Sequence, residues 1–170
     1  MENEISKYQW MEILKEKDTV VVFDFDGVLG SYEYTDRNHA VNIPDEEWEN
    51  YVEDFHPFEN KEQLRPFKTI QKFINGKDLT RIYMCSVASG EIEENAKRKF
   101  AMEKYHIPTK NIFFVKSKKN KIDILRQLHE SKYPDLKENQ IAMVEDTVAT
   151  LNQIMKESEF MTVHVTSFMD

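Results

Sequence analysis

Residues Thr19, Val20, Val21, Val22 and Phe23 form an unbroken β-branched and aromatic run with no polar alternation. A strand with one wet face alternates polar and apolar residues, so an unbroken run marks a strand covered on both faces. A doubly covered strand needs neighbours in a parallel sheet and helices above and below it. That requirement constrains the whole chain. Similar short apolar runs recur at 81–85, 112–115, 141–144 and 161–165. They predict five strands.

Helical spacing fills the intervals. The pattern predicts helices over 4–16, 45–54, 67–74, 92–105, 122–130 and 148–156, with Pro44 at or just before the start of the acidic second one. Pro66 is expected to open the third, and Asn75-Gly76 to stop it. Residues 31–43 read as irregular. Strands alternating with helices of about ten residues give βαβ units. The expected fold is therefore a three-layer α/β Rossmann-like sandwich with a five-stranded, mainly parallel sheet. No repeat or linker divides the 170 residues, so 1–170 is expected to be one domain with a short acidic insertion at about 31–65.

Composition excludes several classes. No run reaches the ~18 apolar residues of a spanning helix, the N-terminus carries charges where a signal peptide is apolar, and the expectation is a cytoplasmic protein without a membrane partner. The single cysteine, Cys85, forms no internal disulfide and no multi-cysteine zinc site, and the five histidines show no metal spacing. The net charge is −8, yet residues 33–62 alone carry −8 and residues 97–121 carry +8. Overall acidity argues against a dedicated duplex-DNA binder. The basic stretch reads as a solvated helix face and loop, able to steer an anion toward one side of a site.

Ligands of open parallel sheets bind at the carboxyl ends of the strands. The first strand ends in Asp24-Phe25-Asp26-Gly27, the second in Ser86, the third in Lys116 with Lys118, Lys119 and Lys121 behind it, and the fourth in Glu145-Asp146. In this order the strings VVVFDFDGVLG, IYMCS, a helix-opening lysine and IAMVED resemble the four motifs of the haloacid dehalogenase-like superfamily, over residues 20–165.

The resemblance implies a magnesium-dependent phosphomonoester hydrolase. Asp24 would be the nucleophile that becomes a phosphoaspartate. Asp26 would protonate the leaving oxygen and then deprotonate the attacking water. Mg2+ would be held by Asp24, the Asp26 carbonyl and Asp146, and Ser86 and Lys121 would bind the phosphoryl oxygens. Lys121 is preferred because it opens a helix; Lys116, Lys118 and Lys119 stay open as alternatives. Glu145 would assist the metal through a water or simply raise the negative field around it. Thr150 stands where many relatives carry another acid, a departure that bears on metal affinity.

Neither insertion interval holds a full cap domain, which resembles capless relatives with open sites. The substrate is then a large or accessible phosphoester, such as a phosphoprotein, a nucleic-acid end or a nucleotide, and a second copy of the chain could supply a roof. The 31–65 stretch, with Tyr32, Tyr34, Asn38, His39 and Trp48, is the expected specificity element. The rival reading is a binding or regulatory module of the same fold with little or no turnover. A P-loop protein is excluded because no GxxxxGK[ST] string occurs.

Overall fold

The computed structural model describes residues 7–32, 43–59 and 64–169. Its centre is a sheet of β1 (Val20–Phe23), β4 (Ile82–Val87), β5 (Ile112–Val115), β6 (Ile141–Glu145) and β7 (Met161–His164), in the order β5-β4-β1-β6-β7. Every pairing in this sheet is parallel, with Val21 opposite Ile82 and Ala142. The five strands lie within a residue or two of the runs that predict them.

Strand alternation sorts the side chains into two cores. Val21, Phe23, Ile82, Met84, Ala142 and Val144 face one side, against α1 (Lys7–Lys15), α3 (Lys68–Asn75) and α4 (Glu91–Tyr105). Val20, Val22, Tyr83, Cys85, Ile141 and Met143 face the other, against α5 (Lys121–Ser131) and α6 (Val148–Glu157). The result is the expected three-layer α/β sandwich. Both faces of β1 are buried along its whole length, as an unbroken apolar run requires.

The chain runs outward from β1 through β4 to β5, then returns to β6 and β7 on the far side of β1. The order therefore reverses at β1, and its carboxyl end opens between two strands whose connections depart in opposite directions. That crevice is where an open α/β sheet places ligands.

Two local expectations are corrected. Residues Gly30–Tyr32 are not irregular: they form β2, paired antiparallel with β3 (Leu64–Pro66), in the register Gly30 to Pro66. Pro66 therefore closes a strand instead of opening a helix, and α3 begins at Lys68 after Phe67. Proline lacks the N–H of a ladder donor but suits the end of a two-stranded ribbon. The inserted segment thus leaves and rejoins the fold through this ribbon, and it carries α2 (Asp45–Phe55), preceded by Pro44 as expected. The side chains of Tyr34, Asn38 and His39 lie outside the described residues, as does that of Tyr32.

Candidate active site

The chain turns sharply where β1 ends. The Asp24 N–H donates to the Val144 carbonyl at 2.9 Å, keeping Asp24 in line with the sheet. The Phe25 carbonyl then accepts the N–H groups of Val28, Leu29 and Gly30, closing a tight loop. Gly27 sits in that loop at φ +72°, and a Cβ there would lie 2.4 Å from Asp146 Oδ2. Only glycine meets both conditions at no steric cost. By this close approach the turn brings Asp26 and Asp146 to the same edge.

Asp24 belongs to a buried carboxylate–ammonium–carboxylate triad. Its Oδ1 accepts the Phe25 N–H at 2.7 Å and lies 2.9 Å from Lys121 Nζ. Lys121 also contacts Glu145 Oε2 at 2.5 Å, and all three side chains are at most 5% exposed. Burial pushes the Asp24 carboxyl up to about 6, with the Lys121 ammonium opposing and Glu145 adding to the rise. Burial works against the charge on Lys121, but Asp24 and Glu145 outweigh it and hold the lysine above its ordinary value. Of the four candidate lysines, Lys121 is the one in contact with Asp24. Lys116, Lys118 and Lys119 are exposed, and Lys118 donates to Thr147 Oγ1.

Asp26 belongs to a second triad of the same form, one the sequence reading did not find. Lys97 Nζ lies 2.6 Å from Asp26 Oδ2 and 2.9 Å from Glu93 Oε1. It also donates to the Val87 carbonyl at 2.8 Å and to Ser86 Oγ at 3.2 Å. The ammonium stands 5.3 and 5.0 Å from the ring centres of Phe25 and Phe58. Lys97 belongs to the basic stretch expected to be a solvated face, yet it is fully buried. A signal was present. Glu93, Ala96, Lys97, Phe100 and Ala101 are the buried stripe of α4, so a lysine occupies an apolar position with a glutamate one turn before it. Burial again opposes the lysine charge, and Asp26 with Glu93 outweighs it. The Asp26 carboxyl is half exposed to the cleft, yet the protein packed around it pushes it above its ordinary value, against the pull of Lys97.

The remaining sequence candidates fall around these triads. Ser86 is fully buried, with its hydroxyl donating to the Val87 carbonyl at 3.1 Å. Asp146 is exposed at the rim, and its carbonyl contacts His164 Nε2 at 2.9 Å. Thr150 is buried on α6. Trp48 donates its indole N–H to Glu93 Oε2 at 3.3 Å.

Asp24, Glu145 and Asp146 each offer a carboxylate oxygen, all within 4.8 Å of one another. Glu145 is already engaged: Oε2 meets Lys121, and Oε1 accepts the N–H groups of Asp146 and Thr147. That leaves Asp24 and Asp146 as the pair for a cation. A few carboxylates and otherwise hard oxygen donors suit magnesium, which retains several waters. With both its oxygens so engaged, Glu145 anchors Lys121 and the 145–147 backbone.

A cleft of about 850 Å³ opens over the site. Asp26, Gly27 and Asp146, Asp45 and Trp48 of α2, and Lys116, Lys118 and Lys119 all line it.

No protein-family model matches the chain, and no curated protein does. Among solved structures, the chain is similar to the HAD domain of the effector protein Lem4 from Legionella pneumophila. The identity is 12%, over 86% of this chain and 84% of that one, with a TM-score of 0.45. Among the described residues, no helix is long and apolar enough to cross a membrane.

Proposed function

We propose that this chain is a magnesium-dependent phosphomonoester hydrolase of haloacid dehalogenase-like type. The observation that carries the reading is the pairing of two carboxylates, two residues apart at one strand end, with separate buried lysines, Lys121 for Asp24 and Lys97 for Asp26. An Asp24 oxygen attacks phosphorus, the bond from phosphorus to the ester oxygen breaks, and Asp26 gives its proton to the departing oxygen. Water then attacks the phosphoaspartate, loses its proton to Asp26, and releases phosphate with Asp24 regenerated. Lys121 and the Ser86 hydroxyl offset charge that gathers on the phosphoryl oxygens. Mg2+, held by Asp24, the Asp26 carbonyl and Asp146, would supply charge neutralisation between the phosphate and the attacking carboxylate.

The open cleft favours a large or accessible phosphoester. Its lining carries both signs, Asp45 of α2 as well as Lys116, Lys118 and Lys119, which suits a phosphoprotein better than a polyanion. The rival reading, a phosphate-binding module without turnover, draws on Thr150, buried where relatives carry an acid.

Phosphate release from a nitrophenyl phosphate, nucleotides, a phosphopeptide and phosphate-ended oligonucleotides tests both readings. Release that requires magnesium and falls to background in Asp24→Asn is expected, with a drop of roughly 10²–10⁴-fold in Asp26→Asn for the alkyl phosphoesters, whose leaving oxygen needs a proton. Folded protein that binds phosphate and releases none from any ester supports the module.

A further inference from the structure

We propose that Lys97 is the positioning residue for Asp26 and Ser86, an inference that rests on the phosphatase reading above. Asp26 stands on a turn with half its side chain open to the cleft, and among the described residues Lys97 is its side-chain partner. Lys97 supplies the hold from beneath, at 2.6 Å. The lysine cannot itself serve the phosphate. An ammonium has three N–H donors, and Asp26, Glu93, the Val87 carbonyl and Ser86 already present four acceptors to it.

The same contact sets the polarity of Ser86. A hydroxyl that accepts from Lys97 keeps its own hydrogen to donate, and rotation away from the Val87 carbonyl directs that hydrogen to a phosphoryl oxygen. Lys97 in turn is anchored by Glu93. The second oxygen of Glu93 accepts the Ser89 N–H and hydroxyl, both at 2.7 Å, and the Trp48 indole N–H. The acid of the reaction is thus tied through Lys97 and Glu93 to the loop after β4 and to the α2 wall of the cleft.

A residue that aims the proton donor matters most where the leaving oxygen needs a proton. A nitrophenolate departs without one, and a serine alkoxide does not. The comparison is kcat/KM, which reports the step that expels the leaving group, for a nitrophenyl phosphate and a phosphoserine peptide, with magnesium present throughout. Lys97→Met is expected to lower kcat/KM on the order of 100-fold for the peptide and less than about 5-fold for the aryl ester. Asp26→Asn should share that selectivity, and Lys97→Arg should restore part of the loss.

Removing Lys97 alone strands the Glu93 carboxylate, so Lys97→Met/Glu93→Gln, which withdraws both buried charges, serves where the single variant fails to fold; circular dichroism checks each protein. Equal losses on both esters, the signature of a lysine that merely supports folding, overturn the positioning role and leave the phosphatase standing. A wild-type protein that hydrolyses neither ester overturns the phosphatase reading, and the role of Lys97 with it.

Discussion

At the scale of single residues, the consequence that reaches furthest is a carboxyl forced into a buried place. Asp24 titrates near 6 in the folded chain and near 3.8 when unfolded. Between these values the folded state binds the additional proton. Stability from this group is therefore fully present below about pH 4, declines as pH rises through 6, and is level above that. The loss amounts to about 3 kcal/mol at full ionisation, an order-of-magnitude figure. Asp24→Asn cannot titrate. In chelator, its thermal midpoint should gain on the wild type by several degrees between pH 4 and 6.5 and by nothing further above. Parallel midpoint curves for the two proteins would show that Asp24 is not the group responsible. The proposed mechanism would ask the opposite of the same residue: a buried ionised carboxylate is costly alone, and Lys121, 2.9 Å away, offsets part of that cost.

Among the elements, the ribbon and the helices are pinned to the site by one hydroxyl. Tyr105 ends α4, and its phenol donates to the Leu29 carbonyl at 2.6 Å and accepts the Phe67 N–H at 2.8 Å. It joins the turn after β1, the entry to α3 and the far end of the helix that carries Lys97. Tyr105→Phe keeps the packing and leaves a buried carbonyl and N–H without their partner. Such a loss costs about 1–3 kcal/mol. Denaturant unfolding should register that loss as a lower midpoint with an unchanged slope. A midpoint within error of the wild type would mean that water takes over both bonds. This link, like the β2–β3 ribbon, joins segments far apart in sequence, and no local pattern announces it.

For the molecule as a whole, the charge segregation is real but smaller than a count of residues suggests. Two of the nine bases in 97–121, Lys97 and Lys121, are buried in triads and present nothing to solvent. Lys116 and Lys119 remain on the cleft wall, in a chain of net charge −8. Their field is screened over about 10 Å at 0.1 M salt. Reversing both, as Lys116→Glu/Lys119→Glu, should raise KM for a phosphoester on the order of 10-fold at low ionic strength, with kcat unchanged. The effect should fade at high salt. A KM shift that ignores salt would point to direct contacts rather than to a steering field.

The sequence by itself determined the sheet, the strand ends and the order of the polar residues on them. Each of these is written locally: a strand covered on both faces must be apolar throughout, and the residues that follow it emerge at one edge. Asp24, Asp26, Ser86 and Asp146 were legible for that reason, and Lys121 because it starts a helix beside them. Only the tertiary structure decided which way the helices turn their polar residues. A lysine in mid-helix reads as solvated until the packing of α4 against β1 and β4 brings its ammonium between Asp26 and Glu93. Contacts from other distant segments bring Lys121 of α5 onto Glu145 and make Pro66 the end of a strand paired with β2. Burial of a charge depends on partners supplied by distant segments, and those partners meet only when the sheet closes.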